Sequence, residues 1–199
     1  WSAAGELALI QRVEETIVSL PREQPLPVLR DQLALIVMQS VSALIGLDFR
    51  TPFAQNNPLL LLQLHAGDFV FAECRDEPRI LHITLNGTPE WINVPFATGV
   101  GADFGYALLQ RYRGLTLSLD AASLLAYKTI EEAIEVRAYG LGPPIDVWHI
   151  AKGGKSRKLD EPEIAALVDA SRTLREAERL LFRTVGDGPG KPDNPESVR

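Results

Sequence analysis

The chain has 199 residues, 46% of them hydrophobic and 23% charged, and its 20 basic and 26 acidic side chains leave a net charge of −6. That balance describes one globular domain with a sizeable core, and it lacks the surplus of basic residues that would make nucleic acid the default partner. The single cysteine, Cys74, excludes an internal disulfide framework and a cysteine-rich zinc site, and it suits a reducing compartment such as the cytoplasm. The chain begins at Trp1 and its one methionine is Met38, so a processed start or a missing N-terminal part is expected.

No run reads as a membrane span. Leu59–Leu62 is too short, and Leu33–Leu47 carries Gln39, Ser40 and Ser42, against the ~20 mostly apolar residues that a span needs. Both are expected in the core.

Taken in chain order, Ala4 to Leu20 places Leu7, Ile10, Val13, Ile17 and Leu20 on one stripe, the pattern of an amphipathic helix stopped by Pro21. Pro25 and Pro27 open a second, more apolar helix from Val28 to Leu47, ending near Gly46, and the two form a helical hairpin. From Pro58 the period becomes strand-like. Leu59–Cys74 reads as a strand bent at Ala66-Gly67 or as two strands joined there. Arg75 to Pro78 is a turn, Ile80–Leu85 a strand, Asn86-Gly87 a hairpin turn and Trp91–Thr98 the return strand.

Gly99-Val100-Gly101 leads into a short helix, Ala102–Tyr112. Ser118 caps a longer one from Leu119 to about Arg137. A strand Ile145–Ala151, a Gly153-Gly154 turn and a return through Arg157–Leu159 follow. Asp160 with Glu163 three residues on is a capping box for a last helix to about Val185, so the domain spans 1–185, and 186–199 reads as a disordered tail. Helices and strands come in blocks, which predicts an α+β fold with antiparallel sheets.

The chemical signals are sparse. Gly99-x-Gly101 lacks the third glycine of a dinucleotide loop, because Phe104 holds that place, and Lys152 to Lys155 reads as a hairpin tip rather than a phosphate loop. His65, His82 and His149 are far apart and show no metal-ligand spacing, so no metal and no cofactor is expected. Cys74 reads as a small buried hydrophobe, Asn86-Gly87-Thr88 as a turn rather than a glycosylation site, and Glu131, Glu132, Glu176 and Glu178 as solvated helix faces. From spacing alone no catalytic constellation emerges.

Three strings nevertheless resemble the proteasome-type branch of the N-terminal-nucleophile hydrolases. They are Ala4-Gly5-Glu6-Leu7-Ala8, then Phe96 to Ala102 with Ala107-Leu108-Leu109, Tyr112 and Leu117 to Ala122, and last Gly142 to Ile150 with Gly154. The match runs in order from about Ala4 to Leu181. The resemblance implies a four-layer αββα sandwich, assembly into homo- or hetero-oligomeric rings, and hydrolysis of polypeptide substrates by an N-terminal threonine whose own amine is the base. It further implies that two leading strands, which carry that nucleophile, an aspartate and a lysine, precede the first string and are absent from this chain.

By the same resemblance Gly5 stands at the oxyanion glycine, Val100 at the serine of a Gly-Ser-Gly turn, and Ala138 and Leu141 at a supporting aspartate and serine. Three polar supports are thereby replaced with apolar side chains. Three functions stay open: a catalytically degenerate subunit that assembles without cleaving, an active threonine peptidase subunit whose nucleophile lies upstream of Trp1, and an unrelated α+β binding domain.

Overall fold

A computed structural model of the chain describes residues 1–186 except residues 22, 49, 51–55, 57–64, 85, 86 and 137–139. The expected strand segment before Ala66, the Asn86 half of the hairpin turn, Ala138 and the tail from residue 187 lie outside the described residues.

The chain opens with strand β1, Ser2–Gly5, and only then enters helix α1, Leu7–Ile17, where one continuous helix from Ala4 was expected. Gly5 explains the difference, because its φ of 140° is incompatible with helical backbone. β1 pairs antiparallel with β2, Gly67–Cys74, in the register Ser2 to Val70 and Gly5 to Gly67. The two glycines let the backbones close up: a Cβ on Gly5 would meet the Ala66 carbonyl oxygen at 2.3 Å. Glu6 N–H continues the contact by donating to Ala66 O at 2.9 Å.

The buried face of α1 is Leu9 and Val13, with Ile10 and Ile17 half-buried, whereas Leu7, expected on the stripe, is exposed. Helix α2, Leu26–Asp48, runs two residues past Gly46 and buries Leu29, Leu33, Ile36, Val37 and Val41. Contrary to the reading from its polar residues, α2 is by length and composition long and apolar enough to cross a membrane, with a third of its apolar window buried. Here that buried side meets α1 and the sheet.

Strands β3, Pro78–Ile83, and β4, Pro89–Ile92, complete a four-stranded antiparallel sheet in the order β1-β2-β3-β4. Alternation along β2 and β3 sends Phe69, Phe71, Leu81 and Ile83 to the α1–α2 face, where they close the main core, and leaves Val70 and His82 on the other. β4 ends six residues before the expected Thr98. Pro95, with no N–H to donate, lies just beyond the strand's end.

The second face of the sheet is followed by helices α3, Ala102–Arg111, and α4, Leu119–Glu135, as expected from the Gly99-Val100-Gly101 turn and the Ser118 cap. Ser118 Oγ accepts from Ala121 N–H at 3.2 Å. The late hairpin is shorter than expected, β5 being Trp148–Ile150 and β6 Ser156–Lys158. Its tip turns on the left-handed Gly153 and Gly154, whose N–H groups donate to Arg75 O at 3.2 Å and Cys74 O at 2.7 Å, so the tip docks on the end of β2.

Helix α5, Glu161–Gly186, starts at the expected capping box: Glu163 N–H donates to Asp160 Oδ1 and Asp160 N–H to Glu163 Oε2, each at 3.0 Å. Arg157 also binds Glu163, and that pair, with the Asp160 N–H, lowers the Glu163 carboxyl to about 2. Tyr127 of α4 joins Val147, Leu159, Ile164 and Leu167 in a smaller core between α4, the β5–β6 hairpin and α5.

The glutamates read as solvated faces are in part a seam between α4 and α5. Glu131 accepts from Ser171 Oγ at 2.5 Å and from Arg175 at 2.7 Å, while Arg175 also reaches Glu135. The buried Lys128 lies 2.5 Å from Glu132 and 3.5 Å from Glu178, and of the four glutamates Glu176 alone is exposed.

Candidate functional site

Val100 and Leu141, singled out by the resemblance, lie on the second face of the sheet. Gly99 and Gly101 both have φ near 85°, which turns the chain from the sheet into α3, and a Cβ on Gly99 would sit 2.6 Å from Ala4 Cβ. Ala4 precedes Gly5 and Gly99 precedes Val100, so β1 and the turn that carries Val100 are in direct contact. Val100 and Leu141 in turn line one cavity. Three of the four positions therefore lie around one place, and the fourth, Ala138, lies outside the described residues.

That cavity, about 470 Å³, separates Ser2 and Val70 of the sheet from the small side chains of α3 and α4, among them Gly105, Ala122, Ala126 and Ala133. A second cavity of about 610 Å³ lies beyond the same Ser2 and Val70, toward Trp148 and Ile150 of β5. Together they make a trough past Ser2 and Val70, running from α3–α4 at one end to the β5–β6 hairpin and the start of α2 (Leu26 and Leu29) at the other.

The chemistry of the two ends differs. Among the described residues lining the α3–α4 end there is no carboxylate, imidazole, amine, guanidinium or thiol, and the hydroxyls are those of Ser2, Thr98 and Thr129. Thr129 Oγ1 is committed to Leu125 O at 2.7 Å. A hydroxyl acts as a nucleophile only beside a base, and the described side chains lining this end offer it none. The hairpin end carries Glu73, Arg75 and Asp146, of which Arg75 pairs with Glu73 at 3.1 Å and Asp146 with Lys158 at 2.7 Å.

All three histidines are engaged elsewhere. His82 Nε2 bonds Asp68 at 2.9 Å beneath the Phe96 ring, and His149 Nε2 meets Ser123 Oγ at 2.8 Å while that hydroxyl donates to Leu119 O at 2.7 Å. His65 is held by two carboxylates, Glu6 and Asp48. These partners are 14 to 59 residues away in sequence, and only the packing of helices, sheet and hairpin brings them together. Sequence spacing carried no signal for them. Among the described residues, no group of three histidine, cysteine or carboxylate side chains is placed to hold a metal ion. Cys74 is half-buried at the end of β2.

No protein-family model and no curated protein sequence matches the chain. Solved structures do resemble it. Anbu from Yersinia bercovieri, described as an ancestral beta-subunit, is 18% identical with a TM-score of 0.66 over 92% of this chain and 77% of its own. Anbu from Hyphomicrobium sp. strain MC1 superposes with a TM-score of 0.56 at 19% identity, and its Gly-1 mutant with 0.58 at 16% identity, each over 89% of this chain and 77% of that one. At such identity the likeness establishes a shared fold.

Proposed function

We propose that the chain is a subunit of a proteasome-like assembly of the N-terminal-nucleophile hydrolase type, built as a four-layer αββα sandwich, and that its own residues supply no peptidase chemistry. The observation that supports this reading is the trough, which leaves room beside the four-stranded sheet for a second one. On one side lies the sheet β1–β4 backed by α1 and α2. On the other stand α3, α4 and the two strands β5 and β6. Two further strands, supplied from upstream of Trp1, would extend the β5–β6 hairpin and fill the trough with apolar side chains. The likeness to an ancestral beta-subunit supports the same arrangement.

Degeneracy is supported by the site itself. Val100 and Leu141 put aliphatic surface where the family resemblance calls for serines, and no titratable side chain is among the described residues that line the cavity they share. Gly5, with its φ of 140°, stands where the resemblance puts the oxyanion glycine, a role that works only beside a nucleophile.

Assembly has a separate support in α2, whose outer side leaves Val28 63% and Leu35 and Met38 each 45% exposed. A helix that is apolar on both sides is suited to a neighbour on the second. A ring of such subunits in the cytoplasm would handle polypeptide and needs no cofactor.

Light scattering and negative-stain microscopy of the full-length protein, with a fluorogenic peptide assay on the same fractions, test the reading. The expected result is a ring-shaped particle several times the 21.9 kDa of this chain, with no peptide turnover. A monomer would overturn the assembly. Turnover sensitive to a threonine-directed inhibitor would establish the active-subunit alternative instead.

A further inference from the structure

We propose that His65 is a proton-operated latch: as an imidazolium it ties the β1–α1 junction to the end of α2 through Glu6 and Asp48, and losing its proton releases one of those two carboxylates. His65 is 5% exposed, with Nδ1 2.6 Å from Glu6 Oε2 and Nε2 2.9 Å from Asp48 Oδ2. An ionised carboxylate can only accept, and a neutral imidazole has one N–H. Both contacts are therefore hydrogen bonds only when both ring nitrogens carry a proton. In the neutral ring, a lone pair on one nitrogen would face a carboxylate oxygen within 3 Å, and that pair must separate. Carboxylic acids ordinarily ionise near pH 4 and imidazolium near 6.5, so the proton that serves both bonds belongs to the ring.

The elements joined are those that frame the first strand. Glu6 is the residue that precedes α1, and its own N–H already donates to Ala66 O beside His65. Asp48 is the last residue of α2, an end whose free carbonyls favour a cation. From the start of β2, the carboxylate of Asp68 turns instead to His82. Burial works against the charge on His65. The bonds to Glu6 and then Asp48, with the charges of both, outweigh it and hold the imidazolium above its ordinary 6.5. A raised folded value means that the latch contributes its full stability below pH 6.5 and loses it as the pH rises through the folded value.

The test is a ¹⁵N-histidine titration of the intact protein, with the His65 signals assigned by elimination in His82→Gln and His149→Gln variants. The expected result is two N–H-type ring nitrogens on His65 at neutral pH, a titration midpoint above 6.5, and a lower midpoint in Glu6→Gln. In urea melts, the unfolding midpoint should fall between pH 6 and pH 9 in the wild type and stay level in His65→Gln across the imidazole range. A His65 that titrates at or below 6.5, or that keeps its midpoint in Glu6→Gln, would overturn the latch without any variant of His65 having to fold.

Discussion

Alanine at position 5 is expected to lower folding stability by about 3 kcal/mol or more, because two costs fall on one backbone position. The φ of Gly5, 140°, lies where an L side chain is strained, which costs about 1 to 3 kcal/mol. The added Cβ would also lie 2.3 Å from Ala66 O and 2.5 Å from Gly67 Cα. Both are backbone atoms, so no rotamer change relieves the clash, and overpacking of this kind costs about 1 to 3 kcal/mol more. β1 would have to leave β2. Urea melts measure the effect against Gly46→Ala in α2, where no described residue lies within 4 Å of the new methyl. That control is expected to gain up to about 1 kcal/mol, since alanine is the better helix former. If Gly5→Ala stays within about 0.5 kcal/mol of wild type, the close approach of β1 to β2 is refuted.

Phe69→Ala is expected to cost about 3 to 5 kcal/mol, the range for emptying a fully buried aromatic site. Phe69 is wholly inaccessible in the third position of β2, in the core that also holds Leu9 and Val13 of α1 and Val37 of α2. Because backbone pairing on both sides fixes β2, its neighbours can collapse into the space only in part. The denaturant midpoint should fall with little change in slope, as for a loss of native packing. Phe104, 54% exposed on α3, gives the contrast: its alanine variant should stay within about 0.5 kcal/mol. Similar losses from the two phenylalanines would mean that the main core is not on the α1–α2 face of the sheet.

What could be read from the sequence is what is written locally. The Ser118 cap, the Asp160–Glu163 box, the Gly153-Gly154 turn and the apolar length of α2 each declare themselves within a few residues, and each stands where expected. β1 does not declare itself. Ser2-Ala3-Ala4 has no alternation and little β preference, and it becomes a strand only because Gly67–Val70 offers an edge. The length of β4 was misread because Trp91–Thr98 continues the apolar pattern past a proline that cannot join a ladder. Of the positions that the resemblance pointed to, Val100 and Leu141 line one cavity. The trough has no sequence signature, since it is a space between elements distant in sequence. The glutamates at the α4–α5 seam look like any solvated face until Arg175 and Ser171, some 40 residues later, are laid beside them.

The pairing of Ser2 with Val70 sets the order in which this domain can be made. During synthesis β1 leaves the ribosome long before β2, while α1 and α2 can zip together from contacts close in sequence. Closing so long a loop has an entropic cost that only the completed sheet offsets, so short-range structure should precede this closure. β1 should therefore be among the last pieces to dock and the first to peel away. Until it docks, one edge of β2 stays open to other chains, which makes the nascent protein most vulnerable to misassembly just before β1 finds its place.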